Sequence, residues 1–281
     1  MKIFTISPSW LITKSDFLKG VRTLEKMGHE VVNKSYVPRL PGPEEKAREI
    51  WKAFADKKIE LILARRGGYS AIKVLPHMNF GLIKRNPKLF AGFSDLSALL
   101  NPIYERTGLV TLHSPMVINL DKPSRFTFKS FQNALAGFPK KDLFEDAPVT
   151  VYNQGKAGGV LKGGNLVTLT ALIGSKWEIK ARNSILFFED VDEKPHQVDR
   201  YFTQWILSGR LSGARGLILG DFRGVNNREI YNVISRLTKI DFPVVHCPYI
   251  GHVRNKITLP VGAKVILDTR KKSLLITGGV S

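Results

Sequence analysis

KLFAGFSDLSALL, residues 88–100, runs apolar up to Phe93, breaks at Ser94-Asp95 and resumes as an apolar pattern with helical spacing. It reads as a buried strand, LFAGF, handing the chain to a helix, LSALLNPIYERTG. Two readings of the handover stay open on these residues alone. Ser94 or Asp95 can be an ordinary helix N-cap. Alternatively, the turn holds Ser94 out as a nucleophile above free backbone N–H groups. The G-x-S-D pattern lacks the second glycine of the usual nucleophile elbow, so the local pattern does not choose between them.

Working outward, the flanking segments alternate in the same way. Strand KIFTIS precedes SDFLKGVRTLEKMG, which puts Leu18, Val21, Leu24 and Met27 on one face, with Ser15 or Asp16 at its start and Gly28 at its end. HEVVN is a short strand. The helix after Pro43 carries Ala47, Ile50, Trp51 and Phe54 as its inward stripe. IELILA, a glycine turn, the 88–100 unit and strand LVTLH complete a β-α-β-α order. That order predicts a parallel sheet with helices on both faces and a ligand site beyond the C-terminal strand ends.

From about residue 117 to 158 the periodicity weakens, leaving one short helix near RFTFKSFQNALAG. Beyond it come short strands, GGVLKGGNL, SILFFED, GLILGDF, FPVVH, AKVILD and SLLIT, around one clear helix, PHQVDRYFTQWILSGRL. The division expected is an α/β domain over 1–120, a linker over 121–158 and a smaller β-rich domain over 159–281, a sandwich or barrel.

The 281 residues are 43% hydrophobic and 24% charged, an ordinary balance for a folded globular chain. No stretch approaches the roughly 20 apolar residues of a membrane span. The start, MKIFTISPSW, is too short in its apolar run for a secretion signal, so the expected location is cytoplasmic. The one cysteine, Cys247, excludes an intramolecular disulfide and a cysteine zinc cluster, and its apolar neighbours read as core. Lys and Arg exceed Asp and Glu by 19, yet the basic residues are scattered, with short clusters at 57–58, 140–141 and 270–272 and no interleaved aromatics. This argues for a basic solvated surface and, beyond that, a preference for substrates bearing acidic groups, rather than for nucleic-acid binding.

Three apolar strands end in reactive side chains: AGF at Ser94, ILFF at Glu189, and VVHCPYI just before Gly251-His252. A serine hydroxyl needs an imidazole to take its proton, and the imidazolium needs a carboxylate to hold it. In ILARRGGYSAIKVL, the Gly67-Gly68 turn leads into a helix and is open to three readings: a plain strand-to-helix turn, a phosphate loop, or a second oxyanion donor beside Ser94. Its spacing matches neither dinucleotide nor Walker patterns. His113 and His246 read as core or turn histidines. Asp190, Asp192 and Glu193 read as acidic caps of the helix from 196 rather than as metal ligands.

RGGYS, GFSDLSALL, LHSPM, LKGGNL, FFEDVDEKPHQVDR and GHVRNKITLPVG, taken in this order, resemble the LD-carboxypeptidase family of serine peptidases, whose relatives include the microcin C immunity proteins. The resemblance extends over almost the full length. It implies a flavodoxin-like N-terminal domain, a swivelling-type C-terminal domain and a homodimer. It implies a Ser94–Glu189–His252 triad, an oxyanion hole from the backbone N–H groups of Gly68 and Asp95, and substrate contacts at Gly67, Asn165 and Asn255. No cofactor or metal is implied. The implied reaction is hydrolysis of the amide joining an L-centre to a terminal D-amino acid in murein peptides. The alternative is cleavage of peptidyl or aminoacyl nucleotide adducts; Trp177 and Trp205 each read first as a core tryptophan, with stacking on the base as the other reading. A non-catalytic, anion-binding Rossmann-like module is the reading from another class. Ser70, Ser114 and Val253 depart from the family's glycines.

Overall fold

The computed structural model describes residues 1–36 and 38–279. The first half builds β1 (Lys2–Ile6), α1 (Lys14–Lys26), β2 (Glu30–Val31), α2 (Pro43–Ala55), β3 (Leu61–Ala64), α3 (Phe80–Arg85), β4 (Leu89–Gly92), α4 (Ser97–Thr107) and β5 (Thr111–His113). These strands pair in the order β2-β1-β3-β4-β5, all parallel. The central strands β3, LILA, and β4, LFAG, are apolar throughout because both faces are covered. Ile62 and Phe90 pack toward α2 and α4 through Ile50, Phe54 and Leu99. Leu61, Leu63 and Ala91 face the other way, onto Phe17, Val21 and Leu24 of α1. The segment after Gly67-Gly68 differs from the helix expected: a short 3-10 turn, Ala71–His77, containing Pro76, which has no N–H to extend a helical ladder.

The second half adds α5 (Arg125–Leu135), β6 (Thr150–Asn153), β7 (Lys156–Asn165), α6 (Leu166–Thr170), β8 (Ser184–Asp190), α7 (Pro195–Leu207), β9 (Gly216–Phe222), α8 (Asn227–Leu237), β10 (Val244–His246), β11 (Leu259–Val261), β12 (Lys264–Asp268) and β13 (Ser273–Ile276). It forms one seven-stranded sheet, β13-β12-β7-β8-β9-β10-β6, with a parallel centre from β7 to β10 and antiparallel edges. The sandwich or barrel read from the short strands is therefore not what forms. Helices α7 and α8 supply the crossovers that parallel pairing needs, and α8 is hard to read because it buries only Ile230 and Ile234.

One segment falls where a linker was expected, and another ties the halves together. β6 lies inside the stretch expected to be a linker and caps the edge of the second sheet beside β10. β11 returns from the C-terminal half to pair antiparallel with β5, Leu259 opposite His113. The C-terminal ends of β4, β5 and β8 thereby face a common seam. Among the described residues, no helix is long and apolar enough to cross a membrane.

Candidate active site

Beyond β4, Phe93 is extended and Ser94 turns into the left-handed region at φ 64°. A side chain with a Cβ pays in strain there, and such residues concentrate at functional turns. Helix capping does not explain the pair, because α4 starts with no side-chain cap bond. Asp95 turns away instead: its Oδ2 accepts from Ser9 Oγ at 2.5 Å and from the Ala71 N–H at 2.8 Å. Burial pushes the Asp95 carboxyl above its ordinary pKa, against those hydrogen bonds.

Ser94 is one end of a hydrogen-bonded chain. Its Oγ lies 3.1 Å from His252 Nε2, and His252 Nδ1 lies 2.8 Å from Glu189 Oε2. Glu189 is fully buried at the end of β8, where β8 and β9 slip register between Phe188 and Asp190. Such an irregularity re-aims side chains and leaves both Glu189 and Asp190 buried. Burial alone would raise the Glu189 pKa, but the imidazoles of His113 and His252 hold it down, to about 2. Asp190 goes the other way, pushed up to about 6 by burial and by the neighbouring Glu189 charge.

His252 rides on a loop that is bolted at several points. Gly251 precedes it at φ 122°, where an added Cβ would lie 2.9 Å from Glu189 Cβ; only glycine fits both the conformation and the space. Arg223 Nη2 donates to the His252 carbonyl at 2.7 Å. Lys256 Nζ donates to the Gly251 and Val253 carbonyls and lies over the Phe93 ring. Burial lowers its pKa to about 8. Thr127 of α5 donates to the Arg254 carbonyl and accepts from the Lys256 N–H, both at 2.8 Å.

The Gly67-Gly68 turn sits against the serine. A Cβ on Gly67 would be 3.0 Å from Ser94 Oγ, and one on Gly68, at φ 153°, would be 2.7 Å from Trp10 Cβ. Ser70, one of the departures from glycine, donates to the Ser9 carbonyl at 2.6 Å and accepts from the buried Lys46 Nζ at 2.7 Å. Ser9, Lys46, Ser70 and Asp95 thus lock the turn to the β4–α4 junction.

Ser94 opens on a cavity of about 280 Å³ whose walls include Gly68, Tyr69, Asn165, Thr168, Asp190 and Glu193. Asn165 is there, but its side chain is engaged: Nδ2 donates to Asp190 at 2.8 Å and Oδ1 accepts from the Thr168 N–H and hydroxyl. Gly67 and Asn255 are outside this lining, Gly67 beneath the serine and Asn255 in the His252 loop. Trp205 is buried and donates to Thr170, and Trp177 packs against the core, so neither faces the cavity. Asp190 caps α6 through the Val167 N–H instead of α7, whose N-cap is Lys194. Ser9, Lys46, Thr127 and Lys256 escaped the sequence reading, because an isolated Ser, Thr or Lys carries no pattern that marks it as buried. His113, read from the sequence as a core or turn histidine, is buried with its Nε2 4.0 Å from Glu189 Oε1.

The fold and site define a two-sheet α/β protein that lines up a serine hydroxyl, an imidazole and a buried carboxylate at the seam of its sheets. The chain belongs to the LD-carboxypeptidase family, a family of peptidases: residues 3–114 match its N-terminal domain and residues 158–267 its C-terminal domain. It is 32% identical to a probable murein peptide carboxypeptidase of Bacillus subtilis, over 98% of this chain and 89% of that protein. It is 28% identical to the microcin C7 self-immunity protein MccF of Escherichia coli, over 96% of this chain and 90% of that one. Among solved structures, MccF in complex with glutamyl sulfamoyl guanosine superposes with a TM-score of 0.86 at 27% identity, covering 100% of this chain and 97% of that one. Muramoyltetrapeptide carboxypeptidase from Oxalobacter formigenes gives 0.85 at 27% identity, covering 100% of both.

Proposed function

We propose that the protein is a serine-type LD-carboxypeptidase that hydrolyses the amide between an L-centre and a C-terminal D-amino acid. The observation that carries this is the unbroken chain from Ser94 Oγ through His252 to the buried Glu189, with Ser94 presented on a left-handed turn. In this mechanism Ser94 Oγ attacks the scissile carbonyl while His252 Nε2 takes its proton. Glu189 fixes the tautomer with the proton on Nδ1 and stabilises the imidazolium. The N–H groups of Gly68 and Asp95 steady the tetrahedral oxyanion. His252 then protonates the departing amine, and water, deprotonated by the same imidazole, releases the acyl group.

The cavity beside Ser94 adds a substrate constraint. It contains Asp190 and Glu193, and none of its lining residues is Lys or Arg, although the chain as a whole carries +19. A neutral or cationic group fits this space, and substrate carboxylates fit outside it, facing the basic surface. Cleavage of aminoacyl nucleotide adducts is the second reading, favoured by the likeness to MccF. A glutamyl group like the one in that complex would meet carboxylates in this cavity.

The test is hydrolysis of peptides ending in L-Lys-D-Ala, with L-Lys-L-Ala and glutamyl sulfamoyl adenosine as comparisons. Release of D-alanine that disappears in Ser94→Ala supports the proposal. Turnover of the adduct alone selects the second reading, and unchanged turnover in Ser94→Ala removes the mechanism.

A further inference from the structure

The triad leaves one buried polar atom unexplained. Glu189 Oε2 is occupied by His252, but among the described residues Oε1 has no hydrogen-bond partner, and neither does Nε2 of His113, 4.0 Å away. Both side chains are essentially inaccessible, Glu189 at 0% and His113 at 3% exposure. Two buried, unpartnered polar atoms facing each other call for an explanation, since leaving either without a partner is costly. The gap exceeds a hydrogen bond by about 1 Å.

The fold aims His113 at this point. It ends β5, pairs with Gly92 just before the nucleophile turn and opposes Leu259 of β11. Its ring stands edge-on to Phe93 and Phe187, at 5.7 and 5.1 Å between centroids, while Phe93 also lies against the His252 ring at 4.7 Å. The carboxylate at the end of β8 is thus flanked by an imidazole on each side, one from the first sheet and one from the loop after β10.

Resting on the serine-hydrolase reading, we propose that His113 is a positioning residue that acts through Glu189. Its Nε2–H is the second donor to the carboxylate, and a sub-ångström to one-ångström closure of the seam makes the bond. Glu189 is then held ionised and oriented so that Oε2 receives the proton-bearing Nδ1 of His252. The other titratable groups around this carboxylate are Asp190 beside it on β8, Asp221 on β9 and Lys256 in the His252 loop. Asp190 and Asp221 disfavour the Glu189 charge and Lys256 favours it.

The experiment compares His113→Phe, which keeps the ring contacts without a donor, with His113→Gln, which restores an N–H. Rates are measured on an L-Lys-D-Ala peptide across pH, alongside phosphonate labelling of Ser94 and 15N NMR of the wild-type imidazoles. The expected result for His113→Phe is a kcat at least about tenfold lower, within the roughly 10⁴-fold ceiling for losing carboxylate support in a triad. KM should be little changed, since the contact acts on the orientation of the triad and not on substrate binding. His113→Gln should recover most of the loss, and the wild-type spectrum should show His113 protonated at Nε2. Wild-type kcat in His113→Phe would overturn the proposal, as would a bare Nε2 in the NMR, which decides the matter even if His113→Phe fails to fold. A wild-type protein that neither labels nor hydrolyses the peptide, with His113 still protonated at Nε2, would count against the hydrolase reading and leave the carboxylate contact standing.

Discussion

Glu189→Gln separates the electrostatic role of the buried carboxylate from its shape. The Glu189 pKa falls from 4.5 to about 2, and at about 1.4 kcal/mol per unit this corresponds to roughly 3 kcal/mol of stabilisation of the ionised form. A depressed carboxylate contributes fully above its unfolded pKa and loses the contribution as pH falls. The wild-type protein should therefore lose stability between about pH 4.5 and 2. Asp190, raised to about 6, acts with opposite sign, because its preference for the protonated form costs stability as pH rises from about 4 to 6. In Glu189→Gln the loss below pH 4.5 should flatten. At neutral pH the stability change should be smaller than 3 kcal/mol, since the uncharged amide also escapes the desolvation cost of a buried charge. Activity should suffer more. An amide turning its NH₂ toward His252 places the imidazole proton on the wrong nitrogen, and one turning its oxygen there points the NH₂ at His113. We expect kcat/KM to drop by about 10² to 10⁴-fold, or about 3 to 5.5 kcal/mol in the barrier. Urea unfolding from pH 2 to 8 and steady-state hydrolysis of the L-Lys-D-Ala peptide check both parts. A variant within tenfold of wild-type activity would refute the triad assignment, and an unchanged stability slope below pH 4.5 would refute the electrostatic account.

Other perturbations read separate parts of the site. Gly67→Ala puts a methyl 3.0 Å from Ser94 Oγ; displacing the serine by a few tenths of an ångström should lower kcat about 10- to 100-fold with melting nearly unchanged, as steady-state kinetics and calorimetry will show. Glu193→Lys reverses a charge on the cavity wall and should shift the kcat/KM ratio of L-Lys-D-Ala over L-Glu-D-Ala by about tenfold or more toward the acidic substrate. Thr127→Val leaves the Arg254 carbonyl and Lys256 N–H without their partner. It should cost about 1–3 kcal/mol and lower Tm by several degrees, with kcat falling because the His252 loop loosens.

What the sequence could say followed from how local the signal was. The β-α alternation of residues 1–113 and the turn at Ser94 are local patterns, since the central strands β3 and β4 are unbroken apolar runs and helices α1 and α2 repeat an apolar stripe. Glu189 and His252 stood out only as polar residues ending apolar strands, and nothing local gives their distance from Ser94, which depends on β11 crossing back to β5. The parallel order of the second sheet was hidden because α8 shows a thin buried stripe and β10 spans only Val244–His246. The roles of Asp95 and Asn165 were obscured by contacts made far along the chain. The capping pattern around Asp95 conceals a carboxylate bonded to Ser9 and Ala71. Asn165, named for substrate contact, has its amide committed to Asp190 and Thr168.

Everything proposed for the chemistry depends on the Ser94 hydroxyl being activated by His252. The most direct measurement is treatment with a fluorophosphonate followed by peptide mass mapping, on the wild-type protein and on His252→Ala. The account predicts a single phosphonyl adduct on the peptide containing Ser94, formed rapidly in the wild type and slowed by orders of magnitude in His252→Ala. An adduct on another residue, or hydrolysis that continues while Ser94 stays unmodified under excess reagent, would contradict it.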